Sequence, residues 1–108
     1  SPGRPPGVAR ALRRLDDAPE RAVTLSELAA LSGASRFQFL RGFVREVGIT
    51  PHAYLLQRRV RLARRLVAGG LPLAEAATAA GFCDQSHMTR AFVRQLGVTP
   101  GRYRAALA

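Results

Sequence analysis

The sequence predicts an all-α protein of about seven helices, in which one long linker helix joins two helix-turn-helix units. The first observation behind this prediction is an internal repeat, because Ser35–Tyr54 returns 49 residues later as Asp84–Tyr103. The second is that each copy contains a polar helix start, an amphipathic stretch, a glycine stop and a Thr-Pro start to the next helix. Stacked arrays need at least about three repeats, so two copies indicate a binding element that is used twice.

Identical residues at equivalent positions fix the alignment of the two copies. The identical pairs are Arg41/Arg90, Phe43/Phe92, Val44/Val93, Arg45/Arg94, Gly48/Gly97, Thr50/Thr99, Pro51/Pro100 and Tyr54/Tyr103. An apolar stripe with four-residue spacing occurs in each copy, at Phe39, Phe43 and Val47 and again at Met88, Phe92 and Leu96. This spacing places each stripe on one helical face, so both stripes are predicted to face a core.

A helix is predicted upstream of the repeat, over Val8–Asp17, because Val8, Ala11, Leu12 and Leu15 follow helical spacing. Residues 1–7 are rich in proline and glycine, and we expect them to form a flexible tail or linker that holds no helix.

The first helix-turn-helix unit is predicted from its start and stop signals. Thr24 and Glu27 have the spacing of a capping box, and they begin a short helix that stops at Gly33. Ser35 then caps the second helix of the unit, which we call the recognition helix. In a helix-turn-helix the N-terminal part of this helix enters the major groove of DNA.

The second half of the chain follows the same order. Thr50 and Pro51 start a linker helix that runs to about Ala68 and is about 28 Å long at ~1.5 Å per residue. A short helix over Ala74–Ala80, a turn at Gly81 and a recognition helix over Gln85–Leu96 follow, and a last helix begins at Thr99-Pro100. The predicted organisation is a tail (1–7), a first subdomain (8–49), the linker helix (50–68) and a second subdomain (69–108).

Charge is the unusual property of the composition. The chain carries 17 basic residues, all arginines, against 7 acidic ones, for a net charge of +10. Such an excess favours a polyanionic partner, nucleic acid first and an anionic membrane surface second. Membrane binding is disfavoured because the arginines are spread over several short helices rather than along one amphipathic face.

Other features of the composition limit the remaining classes of function. The single cysteine, Cys83, excludes an internal disulfide and a multi-cysteine zinc site. No apolar run approaches the ~18 residues of a membrane span and no signal peptide is visible, so a cytoplasmic location is expected. We predict no catalytic site, no metal and no cofactor. Since the chain does not begin with methionine, we expect it to be part of a longer protein.

The sequence Ala80-Gly81-Phe82 before the second recognition helix, together with the Gly-x-Thr-Pro-x-x-Tyr pattern that ends each copy, resembles the DNA-binding domain of the AraC/XylS family of bacterial transcription regulators. The resemblance spans about Val8 to Ala106. It implies a homeodomain-like, monomeric domain that places its two recognition helices in successive major-groove segments on one face of the DNA. The groove repeat is roughly 34 Å, a scale that the linker helix matches.

The resemblance also implies which residues meet DNA. The family's base-contacting positions fall on Phe37, Leu40 and Arg41 in the first unit and on Gln85, Ser86, Thr89 and Arg90 in the second, and Arg36 matches a position that commonly meets phosphate. Leu40 departs from the family pattern because it is apolar, so it either contacts a thymine methyl group or makes no contact. Met88 also departs from it, because an aromatic residue or leucine is usual there.

Each of these residues also has an alternative interpretation, in which it is an ordinary surface or core residue without contact to DNA. Arg41 and Arg90 suit guanine and Gln85 suits adenine, although exposed arginine and glutamine side chains are common. Phe37 is expected to be exposed rather than to join Phe39 in the core. The arginines of the linker helix are expected to form a solvated face with a minority of phosphate contacts. Cys83 is expected to be a packed, small apolar residue.

These observations predict a sequence-specific double-stranded DNA-binding domain of a bacterial regulator that recruits or blocks RNA polymerase. An N-terminal effector-sensing domain is expected outside this chain. One alternative is a non-specific architectural binder, which would not need two dissimilar sets of reading residues. Another is the DNA-targeting module of a repair protein with a reactive cysteine, for which only Cys83 could serve.

Overall fold

The computed structural model describes residues 3–108, which form seven α-helices and contain no β-strand. In chain order the helices are α1 (Pro6–Asp17), α2 (Leu25–Ser32), α3 (Arg36–Val47), α4 (Pro51–Ala68), α5 (Leu73–Ala79), α6 (Gln85–Leu96) and α7 (Pro100–Leu107). The predicted all-α fold is therefore confirmed. No helix in this part of the chain is long and apolar enough to cross a membrane.

Helix α1 begins earlier than the sequence predicts, so the expectation that residues 1–7 hold no helix is wrong for Pro6 and Gly7. Pro5 is the N-cap residue and Pro6 begins the helix. Proline is tolerated there because the first backbone N–H groups of a helix have no intrahelical partner to lose. Residues 1 and 2 of the predicted tail lie outside the described residues.

Gly7 lies where α1 approaches α2, and a methyl group there would collide with backbone. A Cβ atom built on Gly7 would lie 2.8 Å from the carbonyl oxygen of Ser32 and 2.9 Å from its Cβ. We therefore expect Gly7→Ala to lower the free energy of unfolding by about 1–3 kcal/mol, as overpacking usually does. Urea denaturation would measure the change.

Gly42→Ala is the matched control for this prediction. Gly42 lies inside α3, and its Cβ would have only the flexible end of Arg45 within 4 Å, at 3.9 Å. Replacing a glycine in a helix interior should raise the free energy of unfolding by about 0.5–1 kcal/mol. Equal effects of the two substitutions would show that the contact at Gly7 does not limit stability.

The predicted helix starts are confirmed by side-chain hydrogen bonds. Thr24 forms a reciprocal capping box with Glu27, and Ser35 forms one with Gln38 at the start of recognition helix α3. At the start of recognition helix α6, Asp84 Oδ1 accepts a hydrogen bond from the backbone N–H three residues later, at 2.8 Å. The first turn of each recognition helix is thus fixed by its cap, because these bonds satisfy N–H groups that the helix leaves open.

The helices pack into two compact units, of which the first ends at Leu55 and the second is Leu56–Ala108. Each unit has its own buried apolar cluster. The first cluster contains Val8, Ala11, Leu15, Leu28, Ala29, Phe39, Phe43 and Leu55. The second contains Val60, Ala63, Val67, Ala76, Ala77, Ala80, Phe82, Met88, Ala91 and Phe92. Helix α4 serves both units, since its buried residues divide between the two clusters.

The apolar stripes of the recognition helices face these clusters, with one exception. Phe43 and Phe92 are fully buried, and Val47 packs against the first cluster from a half-buried position. The prediction that Leu96 joins the core is wrong, because 37% of its surface is exposed. Leu96 is the last residue of α6 and does not pack against the second cluster, whereas Val47, at the equivalent end of α3, packs against the first.

Some of the arginines stabilise the fold by donating hydrogen bonds to carbonyl groups at or near helix C-termini. The bonded pairs are Arg4 Nη1 to Glu46 O (3.0 Å), Arg10 Nε to Leu31 O (2.7 Å), Arg14 Nη1 to Ala18 O (2.8 Å) and Arg104 Nε to Val67 O (3.3 Å). These carbonyls lie where helices leave acceptors unsatisfied, and positive charge is favourable at this end of the helix dipole. The composition therefore overstates how many arginines are available to an anionic partner.

Candidate nucleic-acid interface

The first turns of recognition helix α3 present an exposed face of positive charge and one aromatic ring. Arg36 and Arg41 are exposed, and 67% of the surface of Phe37 is exposed, which confirms the prediction that Phe37 lies outside the core. The guanidinium carbon of Arg41 lies 5.4 Å from the ring centroid of Phe37. This cation–π contact restrains the Arg41 side chain at the helix surface before any ligand is bound.

Leu40 is the exception on this face. It is half-buried and lines an apolar crevice of about 240 Å³ within the first unit, together with Leu25, Leu28 and His52. Part of its side chain is therefore covered by the fold.

Recognition helix α6 presents a more polar face. Gln85, Ser86 and Arg90 are exposed, while Thr89 is half-buried. His87 does not join them on this face, because its ring packs edge-on against Phe82 with centroids 5.2 Å apart. The predicted residues of this unit are thus gathered on one helix face, and they offer amide, hydroxyl and guanidinium groups.

The turn before α6 is longer than the turn before α3, and this difference exposes Cys83. The left-handed glycine of the first turn, Gly33, lies three residues before α3, whereas Gly81 lies four residues before α6. Phe82 is buried, but Cys83 is exposed, so the expectation that this cysteine is packed is wrong. The additional residue lets Phe82 enter the core while its neighbour stays in the turn. Comparison of the two glycine-to-helix spacings would have revealed this from the sequence.

Two exposed valines extend the recognition faces, and the sequence interpretation did not single them out as site residues. Val44 on α3 is 37% exposed and Val93 on α6 is 42% exposed. Each lies four residues after Leu40 or Thr89 and therefore on the same side of its helix. Their identity at equivalent positions of the repeat is the sequence signal that could have identified them as site residues.

The described residues give no sign of a metal centre. Within residues 3–108, no group of three or more His, Cys, Asp or Glu side chains is placed to hold a metal ion. The exposed side chains of both recognition faces offer hydrogen bonding, positive charge and apolar contact.

Comparison with known proteins places this arrangement in a class. Residues 28–106 match the family model described as a helix-turn-helix domain. The chain is 40% identical over 100 residues to a putative AraC-like transcription regulator of Streptomyces antibioticus, a match that covers 92% of this chain and 33% of that protein. It is 44% identical over 66 residues to the HTH-type transcriptional regulator YbfI of Bacillus subtilis, which covers 61% of this chain and 24% of the relative.

A solved structure supports the same assignment. The DNA-binding domain of AdpA, a global transcriptional factor crystallised in complex with a target DNA, superposes with a TM-score of 0.87 at 31% identity, over 93% of this chain and 91% of that one. The fold and the two exposed recognition faces therefore define a helix-turn-helix DNA-binding domain of a transcriptional regulator. The chain belongs to the AraC-type family of such domains. It spans about a quarter to a third of the length of the curated relatives that it matches.

Proposed function

We propose that this chain is the part of a bacterial transcriptional regulator that binds double-stranded DNA sequence-specifically, with recognition helices α3 and α6 in successive major-groove segments. The observation that carries the proposal is the duplicated recognition helix, each copy of which is capped at its start and exposes hydrogen-bonding or charged side chains in its first turns. Residues 8–49 and 69–108 are proposed as the two DNA-binding subdomains, with the linker helix between them.

The exposed side chains support a division of roles. Arg41 and Arg90 are proposed to contact guanine and Gln85 to contact adenine, since these side chains can form paired hydrogen bonds with those bases. Arg36, in the first turn of α3, is proposed to contact phosphate, which positions the domain without reading sequence. Ser86 and Thr89 supply hydroxyl groups that can bond either bases or backbone.

Apolar contacts are proposed to contribute on both helices. Val44 and Val93 are exposed on the recognition faces and can contact thymine methyl groups. Phe37 supports Arg41 and presents the rest of its exposed ring to the groove. The half-buried position of Leu40 favours packing over base contact, so we assign it the smaller share of any thymine contact.

Family membership is the basis on which we propose partners for the whole regulator. DNA is the direct partner of this chain, and a cytoplasmic location is proposed with it. We propose that the longer protein also contains an N-terminal effector-sensing domain, because the chain matches only part of each curated relative. RNA polymerase is proposed as a partner of that longer protein. No enzymatic activity is proposed, since the relatives of this chain are transcriptional regulators.

Selection of binding sites from a random duplex library tests this function. We expect an asymmetric motif with two half-elements about one helical turn apart, because the residues that α3 and α6 expose differ. The selected duplex and a scrambled duplex would then be titrated at several salt concentrations. Preference for the selected duplex should persist as salt rises, whereas phosphate-only binding weakens equally for both.

Failure to enrich any motif, with both duplexes released alike by salt, would overturn the proposal. It would leave the alternative of a non-specific architectural binder.

A further inference from the structure

A second basic surface lies in the second unit, away from the first turns of α6. It is a groove of about 480 Å³, here called the arginine groove, to which α4 contributes Arg58, Arg61 and Arg64 and α6 contributes Arg94, Gln95 and Leu96. None of the residues that line it is acidic. None of the residues that line the groove is one of the proposed DNA-reading residues, because α6 contributes only its last three residues.

Two arginines that α4 contributes to the groove lie close to each other, which favours a ligand with several negative charges. Arg61 and Arg64 are three residues apart, so their side chains lie on one face of α4, and like charges at this spacing destabilise a helix. Arg61 and Arg94 are exposed. A ligand with several negative charges would relieve the repulsion and gain charge-assisted hydrogen bonds.

The groove also has an apolar component. Leu96 lines it with 37% of its surface exposed, whereas Val60, which also lines the groove, is only 2% exposed. A phosphate group gains nothing from Leu96, whereas a peptide that carries an apolar residue among acidic ones would contact it. A volume of this size accommodates a few peptide side chains.

The first unit shows that the same packing can be made without these arginines. Helix α1 is the counterpart of the second half of α4, because its buried Val8, Ala11 and Leu15 have the spacing of the buried Val60, Ala63 and Val67. In this alignment Ala9 stands in place of Arg61 and Leu12 in place of Arg64. Leu12 packs against the core of its unit. The fold therefore does not require the arginines at those positions.

We propose that the arginine groove binds an acidic segment of a partner protein, with one apolar side chain of that segment placed against Leu96. Charge complementarity supports this occupant, since it steers association and selects partners, and the apolar lining favours a peptide over a nucleic-acid backbone. The proposal goes beyond DNA binding and does not depend on which bases the recognition helices read.

Fluorescence anisotropy with a labelled peptide of glutamate and aspartate residues around one central leucine tests the groove directly. The variant Arg61→Ala/Arg94→Ala should bind this peptide at least about tenfold more weakly than the unmodified chain, because it loses two charge-assisted contacts. The control variant Arg13→Ala/Arg102→Ala removes the same charge from exposed positions outside the groove, and its affinity should change by less than about twofold.

The apolar contact is tested by a double-mutant cycle. Leu96→Ser and replacement of the leucine in the peptide by serine should each weaken binding, and the two changes together should cost less than the product of their separate effects, because they remove the same contact. Circular dichroism would establish that each variant keeps its helices.

The outcomes separate the alternatives. Equal loss of peptide affinity in the two double-arginine variants would show diffuse attraction to a basic protein and would overturn the proposal. Loss of duplex affinity in Arg61→Ala/Arg94→Ala with unchanged peptide affinity would show that the groove contacts DNA phosphates, and it would overturn the proposal while leaving the proposed DNA-binding function intact. Strictly additive effects in the cycle would exclude the contact at Leu96.

Discussion

Phe92→Ala is expected to lower the free energy of unfolding by about 3–5 kcal/mol, the range typical of removing a buried phenylalanine ring. Phe92 is fully buried in the cluster of the second unit, and its ring lies 5.6 Å from that of Tyr103 in an edge-on arrangement. Alanine would leave a cavity and forfeit this ring contact, while small domains have only about 5–15 kcal/mol of stability in total. Guanidinium chloride denaturation followed by circular dichroism would measure the change.

Val93→Ala is the matched control for this experiment. Val93 follows Phe92 directly in α6 but exposes 42% of its surface, so its replacement should change the free energy of unfolding by no more than about 0.5 kcal/mol. The pair separates burial from helix propensity, because both variants place alanine in the same helix. A similar effect of the two changes would show that the second cluster does not dominate the stability of its unit.

Arg90→Ala is expected to weaken binding to the selected duplex about 5- to 150-fold, the equivalent of about 1–3 kcal/mol for a paired arginine–guanine contact. The variant should also lose preference at one base pair of the selected motif, since alanine cannot distinguish bases at that position. Titrations of duplexes that carry all four base pairs at each position would locate the loss. The structure supports this role because Arg90 is exposed on α6 beside Gln85 and Ser86.

Arg13→Ala provides the charge-matched comparison for Arg90→Ala. Arg13 is exposed on α1 and has no assigned contact with DNA, so its loss should weaken all duplexes alike and only slightly, through the general attraction of positive charge. A uniform loss of affinity in Arg90→Ala, with no change in base preference, would show that Arg90 contacts phosphate instead of a base.

The amino-acid sequence by itself determined the parts of this structure that depend on neighbours in the chain. Capping pairs such as Ser35 with Gln38, glycine stops such as Gly97 and the four-residue apolar spacing gave the helices and most of the buried residues. These signals act within one or two helical turns, so they can be read without knowledge of the fold. The repeat and its Gly-x-Thr-Pro-x-x-Tyr ending also indicated the family.

The tertiary structure alone decided which of several chemically similar residues are exposed, bonded or packed. Arg10 and Arg13 are both exposed on α1, and nothing in the sequence shows that Arg10 donates a hydrogen bond to a carbonyl group of α2. Leu96 follows the apolar stripe but is partly exposed, although Val47 at the equivalent position of α3 packs, and Leu40 is half-buried in the lining of a crevice to which three other helices contribute. Burial and hydrogen bonding of this kind depend on residues that are distant in the chain, and they are therefore fixed only when the helices pack.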